Sequence, residues 1–278
     1  MDPSPLTYIV IVNWNGLQDT LECLSSLTKI ESKNVVVVVV DNGSADDSVN
    51  AIQHAYPKTV LVETGKNLRF SGGSNVGIRL ALERGAEQIM LLNNDTVVDP
   101  QLLALLTSRL QSSPDIGVVA PKILYSADPT RIWYAGGEIS MWTGTMRHVG
   151  IRKEDSGLFD KPGETEYASG CCFLVRRETV QHVGLLDEAY FMYTEDADWC
   201  LRARRAGYQI FFEPRARVWH KVSVSAGGHL SGFKLRHKFL SNMRFFGRYA
   251  KWYHWLVFPW LNILVNGIAA VRYLMRDR

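Results

Sequence analysis

The sequence predicts an α/β fold: a doubly wound, mostly parallel sheet with helices on both faces, followed by a C-terminal amphipathic helical tail. Three observations predict it. Six consecutive valines at 35–40 form an unbroken apolar run, which suits a strand buried on both faces. Short apolar runs alternate with segments of helical period across the first 120 residues, the mark of a βαβ series. Beyond residue 230 the composition turns basic and aromatic.

Residues 8–12 form the first strand. Leu17, Leu21, Leu24 and Leu27 then recur at helical spacing. After the valine run, Asp41-Asn42-Gly43-Ser44 reads as a turn, with Ser44 placed to cap the next helix and Asp47 three residues on. Residues 59–62 are a further strand. Residues 65–73 read as a glycine-rich loop and 74–84 as a helix. A strand at 89–92, a helix at 100–110 and a strand at 116–120 follow. Residues 125–170 are rich in Gly, Trp, Thr and Tyr and read as hairpins and loops over the site. Residues 172–175 are apolar again, and 178–183 suit a short helix. Residues 196–206 form a helix closed by Gly207. Two short strands, 209–212 and 217–219, come next. The tail reads as two helices broken near Pro259.

The chain of 278 residues suits one large domain with an appendage: residues 1–230 as the main domain and 231–278 as the tail. The overall charge is +3, unevenly spread. Residues 231–278 hold nine Lys or Arg against one acid, Asp277, and 11 of the 30 aromatics, so the tail carries +8 and the rest −5. Basic plus aromatic suits a membrane surface. The tail lacks Lys and Arg between Lys251 and Arg272, which does not suit a nucleic-acid track. The apolar stretch 255–271 contains Pro259, Asn262 and Asn266 and is short for a membrane span. The expected arrangement is a helix pair in the membrane interface, with packing on the domain or a homodimer contact as the alternatives. Cys23, Cys171, Cys172 and Cys200 form no Cys-x-x-Cys and read as buried thiols of a reducing compartment. No signal pattern opens the chain, so the expected location is the cytosol.

Ligands of an open α/β sheet bind beyond the carboxyl ends of its strands. Asp41 and Asp95 both stand at such ends and are expected to face one crevice. Asp41 suits a ribose or base edge, and Asp95 suits a divalent metal bridging two phosphates. Taken singly, each reads first as a turn or cap aspartate. Glu195, Asp196 and Asp198 crowd four positions. Asp198 shares a helix face with Arg202 and reads as its structural partner, whereas Asp196 points elsewhere and suits a general base. His220 ends an apolar run and gains weight only with Asp95 on the same metal. Trp133, Trp142 and Trp199 are candidate stacking platforms for a ligand, with core packing as the plainer reading.

Together these segments resemble an inverting family 2 glycosyltransferase of GT-A fold. The resemblance rests on Val12-Asn13-Trp14-Asn15-Gly16, Val40-Asp41-Asn42-Gly43-Ser44, Asn67 with Gly72-Gly73-Ser74-Asn75-Val76-Gly77, Asn93-Asn94-Asp95 and Tyr193-Thr194-Glu195-Asp196, in the family's order over residues 7–222. The subgroup it most resembles contains rhamnosyltransferases of bacterial envelope polysaccharide synthesis. The resemblance implies a nucleotide-sugar donor held by Asn13, Asn15, Asp41, Asn67, Arg69, Gly73, Asn75, Asn93 and Asn94. It implies Mg2+ or Mn2+ on Asp95 and His220, and Asp196 as catalytic base beside Glu195. It implies transfer, most simply of rhamnose from dTDP-rhamnose, to a saccharide acceptor. The charge and aromatics of the tail point to a lipid-linked saccharide as that acceptor, at the cytoplasmic face of the inner membrane. Two positions depart from the family: Asn93 replaces the first metal-motif aspartate, and Arg69 stands where the subgroup has glycine.

Two rivals remain open at this point. A sugar-phosphate nucleotidyltransferase shares the sheet and metal and would aim Lys66 or Arg69 at a triphosphate. An inactive binding module of a membrane assembly has no use for Asp95, Asp196 and His220 together. A nicotinamide dehydrogenase is disfavoured because Asn-Trp-Asn-Gly, not a dinucleotide fingerprint, follows the first strand.

Overall fold

The computed structural model describes residues 4–222, 232–258 and 260, and the side chains of all these except 232–235. In chain order the elements are β1 (Thr7–Asn13), α1 (Leu17–Leu27), β2 (Val35–Asp41), α2 (Ser48–Ala55), β3 (Val60–Glu63), α3 (Arg69–Glu83), β4 (Gln88–Asn93), β5 (Thr96–Val98), α4 (Leu102–Gln111) and β6 (Ile116–Tyr125). There follow β7 (Ile132–Tyr134), β8 (Gly137–Ser140), β9 (Thr145–His148), β10 (Gly163–Glu164), β11 (Cys172–Arg176), α5 (Arg177–Val183), α6 (Glu195–Arg205), β12 (Gln209–His220) and α7 (Gly232–Tyr249).

The main sheet runs β10-β12-β6-β11-β4-β1-β2-β3. Strands β3, β2, β1 and β4 are parallel, and β12 is parallel to β6. Strand β11 is inserted antiparallel between β4 and β6. The fold is α/β, as expected. The valines of β2 become fully buried at Val38–Val40, midway along the core.

Three local readings change. The first concerns residues 65–73. Helix α3 begins at Arg69, so Gly72 and Gly73 lie inside it. They serve close packing: a Cβ on Gly73 would fall 2.8 Å from Val12 Cγ1, and one on Gly77 only 2.2 Å from Val10 Cγ1. The glycines let α3 lie on β1, and the loop before it is shorter than its composition suggests.

The second concerns Ser44. Helix α2 starts at Ser48, and the Ser44 hydroxyl accepts from the Asn15 backbone N–H at 2.9 Å instead of capping a helix. The third concerns the strands 209–212 and 217–219, which are one strand, β12. Pro214 falls where the pairing with β6 shifts register, between Glu213 and Arg217. A bulge absorbs the missing N–H, so the proline interrupts the ladder without ending the strand.

The tail packs on the body before it departs. Phe245, Phe246 and Tyr249 of α7 are buried, and Phe245 and Tyr249 join the main core. The chain leaves the helix at 250–251 and turns helical again over 252–258. That break lies ahead of Pro259, which itself, with Asn262 and Asn266, is outside the described residues. Among the described residues, no helix is long and apolar enough to cross a membrane.

Candidate active site

Strands β1, β2 and β4 end side by side, with Asn13 opposite Asp41 and Val12 opposite Asn93. Asn13 is the junction. Its fully buried amide donates to Asp41 Oδ2 at 2.9 Å and to Ser44 Oγ at 3.2 Å. Its carbonyl accepts from Thr20 Oγ1 at 2.8 Å and from Asn94 Nδ2 at 3.3 Å. Asp41 Oδ1 accepts from the Ser44 N–H at 2.9 Å, closing the turn. Asp41 thus takes one bond on each oxygen from the protein and keeps further lone pairs for a ligand. Asn15 sits at φ 51° and accepts from the Ala45 N–H at 2.7 Å.

The approach to α3 forms the next wall. Asn67 Oδ1 accepts from the Arg69 N–H at 2.7 Å and from Asn42 Nδ2 at 3.2 Å. Arg69, at φ 65°, lays its guanidinium over the Phe191 ring at 4.0 Å. Asn75 is buried and fully engaged: its amide donates to Leu186 O at 3.0 Å and Glu188 Oε1 at 2.8 Å, and its carbonyl accepts from the Leu186 N–H at 3.0 Å. Its observed work is to tie α3 to the chain ahead of α6. The Asn75 side chain is thus turned into the protein, and Gly73 packs on β1.

Asp95 lies two residues past β4, in the turn to β5. Strand β5 pairs antiparallel with the end of β12, setting His220 opposite Thr96. The Lys221 N–H donates to Asp95 O at 2.9 Å. This pairing brings Asp95 Oδ1 and His220 Nε2 to 3.1 Å, both side chains nearly buried. The His220 ring stands edge-on to Trp133, centroids 4.6 Å apart, and Trp133 in turn meets His148 at 4.4 Å. Trp133 therefore props the imidazole. His220 Nδ1 is buried and has no hydrogen-bond partner. Burial pushes the pKa of His148 down to about 4, so this neighbour is neutral near pH 7.

Glu195 and Asp196 open α6. Asp196 is half-buried, and its Oδ2 accepts from the Gly170 N–H at 2.8 Å while Oδ1 accepts from the Ala197 N–H at 2.8 Å. Glu195 is buried with Oε2 unpartnered. Burial raises the pKa of both carboxyls, and the Asp196 charge raises Glu195 further.

The segment Ser169–Cys172 joins the two acidic groups. Gly170 holds Asp196, and Cys171 O accepts from the Asn93 N–H at 2.8 Å, two residues before Asp95. Burial raises the buried Cys171 thiol well above its usual range, with the Asp95 and Asp196 carboxylates adding to the shift. One side chain therefore feels both charges.

The helix-facing expectation for Asp198 matches the structure: Arg202 Nε donates to its Oδ2 at 3.0 Å. Asp198 is also a knot between α6 and α7, for Oδ1 accepts from Tyr190 at 3.1 Å, Tyr249 at 2.7 Å and Arg248 at 3.3 Å. Of the three tryptophans, Trp199 is core, stacked near Phe173 with Nε1 donating to Gly184 O at 2.7 Å. Trp142 is half-exposed against Tyr253 and His254.

Sequence reasoning missed the conformation ahead of Glu195. Tyr193 (φ 67°) and Thr194 (φ 74°) are successive left-handed residues, neither of them glycine. Each is strained by roughly 1–3 kcal/mol. No residue type signals this; Gly or Asn would have.

A carboxylate and an imidazole are both donors to divalent metals, and the two stand here at hydrogen-bond distance, 3.1 Å. Among the described residues, no cluster of three His, Cys, Asp or Glu side chains suits a metal. The remaining positions would fall to a ligand's oxygens or to water, the usual habit of Mg2+.

A model of the family described as "Glycosyltransferase like family 2" matches residues 3–234. The chain is 26% identical over 276 residues to the low-salt glycan biosynthesis hexosyltransferase Agl10 of Haloferax volcanii, covering 97% of this chain and 85% of that one. It is 29% identical over 226 residues to an N-acetylglucosaminyl-diphospho-decaprenol L-rhamnosyltransferase of Mycobacterium tuberculosis, covering 73% and 72%. Its fold is similar to that of GalNAc-T7, solved with UDP, GalNAc and Mn2+, at a TM-score of 0.66 and 17% identity; the match covers 79% of this chain and 44% of that one.

Proposed function

The chain belongs to glycosyltransferase-like family 2, and from that premise we propose that it is an inverting, metal-assisted hexosyltransferase using a nucleotide diphosphate sugar. The observation that carries the reading is the meeting of Asp95 with His220 at 3.1 Å, joined through Ser169–Cys172 to the Glu195–Asp196 pair. Family membership favours sugar transfer over nucleotidyl transfer.

Asp95 and His220 are the residues that would hold Mg2+ or Mn2+. A cation there supplies neutralisation of the charge that builds on a departing diphosphate. In this reading Asp41, Asn15 and Asn94 contact the donor's nucleotide, with Asn67, Arg69 and Asn93 around it. Asp196 is the general base. Two backbone N–H groups fix its carboxylate, and its raised pKa makes it a better proton acceptor than an exposed aspartate. It takes the acceptor hydroxyl's proton as that oxygen attacks the anomeric carbon, and one displacement inverts the carbon. Glu195 is buried with Oε2 unpartnered and is raised by burial and by the Asp196 charge, so the better-bonded Asp196 is the one of the two suited to carry the charge.

The favoured donor is dTDP-rhamnose and the favoured acceptor a saccharide on a lipid diphosphate. The named rhamnosyltransferase relative supports rhamnose as the sugar and a lipid diphosphate as the carrier. Residues 231–278 serve as the membrane-surface tail at the cytoplasmic face of the inner membrane. Phe239, Leu240, Trp252, Trp255, Leu256 and Trp260 are exposed there, with Lys238 and Lys251 beside them. The rival for this face is a homodimer contact.

A thermal-shift panel of dTDP-, UDP- and GDP-sugars with Mn2+ tests the reading. The true donor raises Tm most, by mass action, and turnover releases a nucleoside diphosphate. Release of inorganic diphosphate instead would overturn it.

A further inference from the structure

The strained pair Tyr193–Thr194 needs something to hold it, and the contacts come from α7. Ser241 Oγ donates to Met192 O at 2.8 Å, and Ser241 is buried. Thr194 Oγ1 donates to Asn242 Oδ1 at 3.0 Å. Thr194 is the N-cap of α6, yet its hydroxyl makes no capping bond to that helix. It is turned wholly toward α7. The Phe191 ring, one turn earlier in the loop, stacks on His237 of α7 at 3.9 Å while Arg69 covers it at 4.0 Å. Behind these contacts the Asp198 carboxylate binds Tyr249 and Arg248, fixing α7 against α6.

We propose that Ser241 and Asn242 are positioning residues: through the Met192 carbonyl and the Thr194 hydroxyl they hold residues 193–194 in the left-handed region and so set where α6 presents Glu195 and Asp196. Neither touches substrate. A capping threonine in its ordinary extended conformation would rotate the first turn of α6 and carry Asp196 away from the Gly170 N–H. The inference rests on Asp196 as base only for its effect on rate; its effect on conformation stands apart.

The test compares Asn242→Leu, which removes the acceptor, with Asn242→Asp, which keeps an oxygen at the same place, and adds Ser241→Ala. Hydrogen exchange at the amides of 194–198 reads the conformation, and steady-state transfer reads the rate. Asn242→Leu and Ser241→Ala should speed exchange at 194–198 while leaving the β-sheet amides protected, which shows that the protein is folded. Their kcat should fall between roughly 10- and 100-fold with donor KM nearly unchanged, as expected for a misplaced base. Asn242→Asp should recover most of both. Wild-type exchange in Asn242→Leu overturns the inference and leaves the Asp196 assignment untouched. Equal loss in the Leu and Asp variants also overturns it. Normal turnover in Asp196→Asn overturns the base assignment, whatever the exchange results.

Discussion

Asp95 and His220, far apart in the chain, are brought to 3.1 Å by the antiparallel pairing of β5 with the end of β12. If they share a divalent ion, Asp95→Ala should abolish the metal-dependent part of donor binding. Calorimetry with and without EDTA measures it. Donor affinity in Asp95→Ala that still responds to EDTA would remove Asp95 from that role.

Asp196→Asn keeps the shape and, through its one oxygen, the Gly170 contact, gives up the Ala197 contact, and cannot accept a proton. Its kcat should fall by about 10²–10⁴-fold with donor affinity little changed. Turnover near wild type would reassign the base.

Glu195 carries a pH signature. Its folded pKa is raised, from 4.5 to about 8, chiefly by burial, so the folded state binds its proton more tightly than the unfolded chain. The contribution is fully present below 4.5 and is lost as pH rises toward about 8. Urea midpoints of the wild type should drop across that window, and those of Glu195→Gln should drop less. Parallel profiles would show that Glu195 is not the group that titrates.

The packing of α3 on β1 has a direct test. A methyl at Gly77 would meet Val10 Cγ1 at 2.2 Å, so Gly77→Ala should destabilise the protein by about 1–3 kcal/mol. Val10→Ala in the same chain should recover part of the loss. Denaturant unfolding decides, and additive losses would contradict the clash.

The tail's outer face should bind anionic vesicles. Trp252→Ser with Leu256→Ser and Trp260→Ser removes exposed apolar surface without touching the buried side of α7. Vesicle sedimentation should fall, while transfer to a water-soluble acceptor stays normal. Unchanged sedimentation would favour the dimer contact.

The sheet was legible because the valine run and the alternating periods are strong, local signals. The ends of β1, β2 and β4 were legible for the same reason, and Asp41 and Asp95 came with them. The Asp198–Arg202 pair followed from helix spacing alone. What stayed hidden depends on distant partners. Gly72 and Gly73 look like a loop until Leu68 is placed against the first and Val12 beneath the second. Pro214 looks like a strand end until β6 supplies the register shift. Tyr193 and Thr194 carry no trace of their left-handed backbone, because Ser241 and Asn242 impose it from nearly 50 residues away in sequence.

The knot at Asp198 bears on how this protein can be shortened. Ending the chain after residue 231 would take away the Tyr249 and Arg248 groups that answer its buried charge and leave Arg202 and Tyr190 to satisfy it. An expression boundary chosen at the shift in composition would therefore damage the catalytic body itself. A sound boundary lies beyond Tyr249, so the last helix of the folded body already belongs to the segment that sequence composition assigns to the tail.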